Sequence, residues 1–246
     1  MSTIVPLVLK DRRVIAPNTL HMAFEPVEAI GLPFTPGHFV SLHFEHQGEA
    51  VRRSYSIATK TPTPQDNRVL EIAISYVDGG KASEFFFNAE LGATLGMSGP
   101  FGLLVLPETL AERTFLVATG TGVAPYRAML PRLAEELRAH PEKQVTLLYG
   151  CRTRAERLYA EEFEQFAAEH ENFRYISCIS REEPAQPSER KGYVQHQLEQ
   201  LSPNPDSDMY FLCGNPAMVD DVFAVLKEKG FGVKNVRREK YVFSAK

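Results

Sequence analysis

Two hydrophobic rhythms follow one another along the chain. Through the first hundred or so residues, short stretches alternate or run apolar between turn residues. Examples are Phe39-Val40-Ser41-Leu42-His43-Phe44, Arg53-Ser54-Tyr55-Ser56-Ile57-Ala58 and Val69-Leu70-Glu71-Ile72-Ala73-Ile74-Ser75-Tyr76, with turns at Pro36-Gly37, Thr61-Pro62-Thr63-Pro64 and Asp78-Gly79-Gly80. Strands this short and this closely spaced predict a small antiparallel β-barrel. One helix is expected over 83–91, with Phe86 and Phe87 toward the barrel and Ser83 as its cap.

From about Arg113 the rhythm becomes apolar strands alternating with amphipathic helices. Buried parallel strands are expected at Thr114–Thr119, Val145–Tyr149, Phe173–Ile179 and Met209–Cys213. Helices are expected at Pro125–Ala139, where Pro131 should produce a kink, at Ala155–Ala168 and at Pro216–Lys229. This pattern predicts a doubly wound α/β domain, whose ligands bind beyond the carboxyl ends of the strands. The expected fold is therefore two-domain, an antiparallel β-barrel over 1–108 and a parallel α/β sheet over 109–246. No internal repeat or low-complexity tract interrupts it.

Composition narrows the classes. With 246 residues, 43% hydrophobic and 24% charged, the chain is neither disordered nor fibrous and is long enough for two cores. Its 27 Lys+Arg against 31 Asp+Glu, a formal charge of −4, argue against a nucleic-acid binder. The early apolar stretch Ile4–Leu9 contains Pro6 and runs into Lys10-Asp11-Arg12-Arg13, unlike a signal peptide, and no run approaches a membrane span. Cys151, Cys178 and Cys213 are odd in number and widely spaced. That pattern fits reduced thiols in a cytoplasm and leaves no Cys-x-x-Cys zinc site or four-cysteine iron–sulfur cluster, so no metal is expected.

Candidate chemistry lies at the strand ends. Thr119-Gly120-Thr121-Gly122-Val123-Ala124-Pro125 joins the first parallel strand to a helix, where free N–H groups and small residues suit a pyrophosphate. A tight turn without a ligand would look the same, and the three-glycine dinucleotide fingerprint is absent. On a strand, Arg53 and Tyr55 share one face and Ser54 and Ser56 the other, so an arginine and an aromatic ring stand together; a solvated barrel rim is the alternative. Ser180-Arg181 follows a strand end where a ribose phosphate would lie, although Glu182 and Glu183 adjoin it. Cys213-Gly214-Asn215-Pro216 precedes a helix that Asn215 is suited to cap.

Taken in order, Arg-x-Tyr-Ser at 53–56, Gly-x-x-Ser at 80–83, Gly-Pro-Phe-Gly at 99–102, Gly-Thr-Gly-Val-Ala-Pro at 120–125, Ser-Arg at 180–181, Cys-Gly-Asn-Pro at 213–216 and Glu-x-Tyr at 239–241 span nearly the whole chain. This set resembles the ferredoxin–NADP reductase family, in its bacterial form. The resemblance implies an FAD-binding barrel joined to an NADP-binding domain, in an enzyme that moves electrons between NADPH and a separate carrier, ferredoxin or flavodoxin. Arg53 would hold the FAD pyrophosphate, Tyr55 would lie against the isoalloxazine and Ser56 would bond near flavin N5, with Ser54 beside them. Gly80, Lys81, Ala82 and Ser83 would complete the FAD phosphate site, and Thr121 would approach the FAD as well. Gly120, Thr121 and Gly122 would face the NADP pyrophosphate, with Cys213 and Gly214 at the nicotinamide. Arg152, Ser180 and Arg181 would take the 2′-phosphate and Tyr193 the adenine. Ser56, Cys213, Glu239 and Tyr241 are the candidate catalytic residues. Tyr241 matches the family's terminal aromatic, which covers the flavin, but the chain runs on to Lys246 and makes Phe243 a rival.

The charge, the cysteines and the lack of a span-length apolar run predict a cytoplasmic protein without nucleic-acid or membrane partners, and a monomer is expected. Seven Lys/Arg and only Glu228 and Glu239 occupy Lys227–Lys246, a basic end suited to an acidic carrier or simply a solvated face. Alternatives are an NADH-linked reductase component of an oxygenase or cytochrome system, a free-flavin reductase, and a non-catalytic nucleotide-binding protein.

Overall fold

A computed structural model describes residues 3–242. Contacts divide the chain into two compact units, one running to Val105 and including Ala124–Pro131, the other comprising Leu106–Val123 and Arg132–Val242. The sequence-based division at 108/109 has no counterpart to the assignment of Ala124–Pro131 to the barrel unit.

The first unit contains β1 (Val5–Ala16), β2 (Thr19–Pro26), β3 (Phe39–His46), β4 (Glu49–Ser56), β5 (Leu70–Ser75), α1 (Lys81–Asn88) and β6 (Thr94–Phe101). Its six strands pair antiparallel in the order β4-β3-β6-β1-β2-β5. Just past β4, the Ala58 N–H donates to the Glu71 carbonyl of β5 at 2.7 Å, bringing the two outer strands together as a barrel seam. The interior is filled by Leu7, Leu9, Met22, Phe24, Leu42 and Ile72, all buried. Phe86 from α1 is fully buried and meets Phe44, Tyr55 and Phe24 edge-on, so one aromatic side chain ties the helix to three strands.

The helix departs from its expected bounds in an informative way. It starts at Lys81 with Gly80 as its N-cap, and Ser83 does not cap it. Ser83 lies inside the first turn, where its hydroxyl accepts the Val77 N–H at 2.7 Å and ties the preceding loop down.

The second unit contains β7 (Arg113–Thr119), β8 (Gln144–Cys151), α3 (Ala160–Glu169), β9 (Phe173–Ile179), β10 (Glu189–Lys191), α4 (Val194–Leu198), β11 (Asp208–Gly214), α5 (Pro216–Glu228) and β12 (Val236–Lys240); α2 (Ala124–Ala139) follows β7 and is shared between the units. All pairings are parallel, in the order β10-β9-β8-β7-β11-β12. The chain winds outward from β7 to β10, then crosses back to β11 on the other side of β7. That reversal makes β7 and β11 the topological switch point, where ligands of doubly wound sheets bind. Leu148, Val117, Leu212, Val222 and Leu226 form the buried core.

α2 runs through Pro131 without ending there. α3 begins five residues later than the sequence predicts, because 154–156 form a single 3₁₀ turn and Tyr159 adopts a left-handed φ of 56°. Asn215 caps α5 as expected, its side chain accepting the Ala217 N–H at 2.9 Å, with Pro216 in the first turn. Among the described residues, no helix is long and apolar enough to cross a membrane.

Candidate functional site

In the barrel unit, the β3–β4 register pairs Arg53 with Leu42 and Tyr55 with Val40. Arg53 and Tyr55 therefore share the core-side face of β4, as its alternation predicts. Ser54 and Ser56 take the opposite face, where the Ser54 and Ser41 hydroxyls lie 3.2 Å apart. The Arg53 guanidinium donates to the Arg52 carbonyl at 2.8 Å and makes no other hydrogen bond among the described residues. Tyr55 is half-buried with its ring edge-on to Phe86 at 5.6 Å, and burial raises its hydroxyl pKa, so it stays neutral. Ser56 is buried.

The start of α1 supplies a second group of donors. Its first backbone bond runs from the Glu84 N–H to the Gly80 carbonyl, and the N–H groups of Lys81, Ala82 and Ser83 meet no acceptor among the described residues. A Cβ at Gly80 would lie 3.0 Å from the Val77 carbonyl and 3.3 Å from the Ser83 hydroxyl, so the turn closes tightly behind those amides. Three outward amides at a helix start fit a phosphate ester. The Lys81 side chain does not join them; its ammonium pairs with Glu49.

In the α/β unit, the two strands at the switch point interlock. A Cβ at Gly122 would come within 2.3 Å of the Cys213 carbonyl oxygen, and one at Gly214 within 2.5 Å of the Thr119 carbonyl oxygen. The Asn215 N–H donates to the Thr119 hydroxyl at 3.1 Å, joining the same two strand ends. Gly120, with φ of 56° and nothing near its missing side chain, leaves the face of the turn open. The four glycine and cysteine positions read from sequence thus converge on one backbone-lined cradle, which fits a pyrophosphate and ribose.

Cys213 is fully buried. Burial raises its thiol pKa well above the usual range, the nearby Glu239 carboxylate adds to this, and a side-chain hydrogen bond with Tyr241 only partly opposes it. It is a neutral thiol lining the site, not a thiolate nucleophile. Beyond β12 the ladder continues for one residue, the Tyr241 N–H donating to the Gly214 carbonyl at 2.8 Å. Tyr241 thus lies past the final strand, beside Cys213 and Gly214; Phe243, its rival for the stacking role, lies outside the described residues.

The loops after β8 and β9 stay zipped past the strand ends. Ser180 N–H donates to Cys151 O at 3.1 Å and Arg181 N–H to Arg152 O at 2.8 Å, bringing Arg152, Ser180 and Arg181 together. Their guanidinium groups differ in availability. Arg152 donates to Glu156 through Nε at 3.1 Å and Nη2 at 2.6 Å, whereas the exposed Arg181 side chain has no such partner among the described residues. Tyr193, 57% exposed, stands at the start of α4 with its ring edge-on to His196, a platform open to a planar ligand. The Arg152–Glu156 pair carries no helical signal in the sequence, because Arg152 follows β8 and Glu156 closes the 154–156 turn.

Sequence reasoning missed Arg154. Its Nε and Nη2 grip both oxygens of Glu189 at 2.7 and 2.8 Å, and Glu189 is 0% exposed. The bond from Arg154, aided by the Ala185 N–H and the Arg157 charge, outweighs burial and brings the Glu189 pKa from 4.5 to about 2. Because the folded value is the lower one, this stabilisation is complete above about pH 4.5 and lost as pH falls toward 2. Glu189→Gln is expected to flatten the decline of the urea midpoint across that window; an unchanged decline would count against the pair.

Two family models match the chain, an oxidoreductase FAD-binding domain over residues 6–105 and an oxidoreductase NAD-binding domain over residues 116–223. Ferredoxin–NADP reductase B of Sorangium cellulosum is 32% identical over 236 residues, 93% of this chain and 94% of that protein. The toluate 1,2-dioxygenase electron transfer component of Pseudomonas putida is 30% identical over 238 residues, 96% of this chain but 67% of its own length. A crystal structure of an Amycolatopsis cytochrome P450 reductase superposes with a TM-score of 0.83 at 28% identity, covering 98% of this chain and 71% of that one.

Proposed function

Because this chain belongs to the ferredoxin–NADP reductase family, we propose that it takes electrons from NADPH and passes them to a separate ferredoxin or flavodoxin. It is an oxidoreductase whose cofactors are FAD and a pyridine nucleotide. When bound, flavin supplies the ability to take up two electrons as a hydride and to give them up singly. The chain's own residues bind and orient. Arg53 and the first-turn amides of Lys81, Ala82 and Ser83 hold the FAD phosphates, with Ser54 keeping the strand in register and Gly80 shaping the turn. Tyr55 covers one ring face and Ser56 offers a hydroxyl near N5. Gly120, Thr121 and Gly122 receive the nucleotide pyrophosphate, Tyr193 the adenine, and Cys213 and Gly214 line the nicotinamide ribose. Glu239 moves a proton at the flavin and Tyr241 covers its ring.

The observation that carries the NADPH reading is the contrast between two guanidinium groups. Arg181 is exposed and unpaired among the described residues, beside the Ser180 hydroxyl, and suits bidentate contact with a 2′-phosphate. Arg152 joins it only if the phosphate displaces Glu156. In the purified holoprotein, Arg181→Ala is expected to raise the KM for NADPH about 10–100-fold and that for NADH little, the loss of one charge-assisted contact. Equal effects on both nucleotides would remove the 2′-phosphate assignment.

A second reading, the NADH-linked reductase component of an oxygenase, has its own support. Glu156 occupies Arg152, Glu182 and Glu183 follow Arg181, and relatives include an electron transfer component of a dioxygenase. It predicts higher kcat/KM with NADH. For the acceptor, Lys227, Lys229, Lys234 and Arg238 are each exposed along a locally basic stretch of the chain, with the Arg238 guanidinium stacked 3.7 Å from the Phe223 ring centroid. Such a surface suits an acidic carrier.

A further inference from the structure

Among the groups with no part in the function above, one arginine stands out by burial. Arg127, on the part of α2 that belongs to the barrel unit, is only 6% exposed. Its Nη1 donates to the Ala58 carbonyl at 2.6 Å and to Glu71 Oε2 at 2.7 Å. The other Glu71 oxygen lies 3.4 Å from Nε2 of His21, itself 1% exposed, on β2.

These partners mark the place where the barrel closes. Ala58 N–H donates to Glu71 O at 2.7 Å, and beyond it the Thr59 hydroxyl takes the part of a backbone group, donating to Val69 O and accepting from Glu71 N–H. The seam between the end of β4 and β5 thus includes a backbone bond, the Thr59 side-chain bridge and the Arg127 clamp. Ala58 lies two residues beyond Ser56, so the clamp holds the chain just past the Arg53–Ser56 segment.

Burying a guanidinium and a carboxylate stabilises little in itself, since a well-packed apolar pair often serves as well or better. What such a pair does supply is a fixed geometry between the groups it joins. Burial alone would raise the Glu71 pKa, but the hydrogen bonds from His21 and Arg127 bring it to about 2, keeping the clamp charged at neutral pH.

We propose that Arg127 is a positioning residue for flavin binding, which fixes the β4–β5 seam and through it the strand that presents Arg53, Tyr55 and Ser56. The inference rests on the reading that this strand holds FAD.

The test is reconstitution of the full-length apoprotein with FAD, followed by quenching of flavin fluorescence, for wild type, Arg127→Met and Arg127→Lys. Arg127→Met is expected to weaken FAD binding at least about tenfold and to shift the visible flavin band at saturation, with Arg127→Lys recovering part of both. A purely structural role would lower the melting temperature but leave the FAD Kd and the spectrum unchanged, and that result overturns the proposal. If Arg127→Met does not fold, Arg127→Lys and Glu71→Gln carry the test, with weaker FAD binding expected and wild-type values overturning it. A wild-type protein that takes up no FAD would instead refute the underlying reading.

Discussion

Arg53→Ala protein is expected to purify nearly colourless, while its FAD-free form keeps a melting temperature close to that of the wild-type apoprotein. Arg53 has few structural duties: it donates to the neighbouring Arg52 carbonyl and to nothing else among the described residues. Its removal therefore costs the fold little. Toward a diphosphate the same guanidinium offers charge-assisted, two-pronged hydrogen bonds worth about 1.5–3 kcal/mol, or about 10–150-fold in affinity. The alternate residue on the strand supplies a control. Arg52 is exposed and opposite His43, so Arg52→Ala should retain flavin. The absorbance ratio of dialysed protein near 450 and 280 nm, about where flavin and protein absorb, reads both variants; equal flavin retention would refute the pyrophosphate role.

The second large effect is expected at Gly122. An alanine Cβ there would stand 2.3 Å from the Cys213 carbonyl and 2.7 Å from the Gly214 Cα, both backbone atoms that cannot rotate away. The turn and the end of β11 would have to separate, at a cost of about 1–3 kcal/mol as in other overpacked sites. For a chain of this size that corresponds to a fall of about 2–12 °C in melting temperature. Because the two strand ends form the cradle, pyridine-nucleotide affinity should fall at least about tenfold as well. Gly120→Ala is the comparison: nothing lies near its missing side chain, so only the strain of its left-handed φ, about 1–2 kcal/mol, is at stake. Calorimetry with NADP⁺ titration separates them, and a Gly122→Ala protein with undiminished nucleotide affinity would refute the cradle.

Much of this architecture was readable from residue order because its signals are local. The switch-point turn is marked by small residues over seven positions, and the β9 strand has the bounds that its apolar run predicts. Other elements hid their signal. β1 carries Lys10-Asp11-Arg12-Arg13 through its middle, with a register shift between Leu9 and Asp11, so alternation breaks where the strand continues. β10 has three charged residues, and its buried Glu189 is compensated by an ion pair with Arg154, 35 positions away. The clamp at Arg127 joins residues 56 positions apart, and no periodicity announces such a contact. At the ends of β8 and β9 the sequence disclosed Arg152 and Arg181 but not that Glu156 pairs with the first of them, because that depends on how the loop folds.

The clamp also bears on how this protein can be divided. An FAD-binding region drawn from residues 6–105 ends before the helix that supplies Arg127. A barrel excised at that point would lose the cation facing Glu71 and a donor to the Ala58 carbonyl. During synthesis, likewise, the barrel is unfinished until the first half of α2 has left the ribosome. The module that can be exchanged between relatives is therefore not the contiguous segment but the segment together with Ala124–Pro131, and a chimera joined upstream of α2 needs an arginine-bearing helix from the same parent.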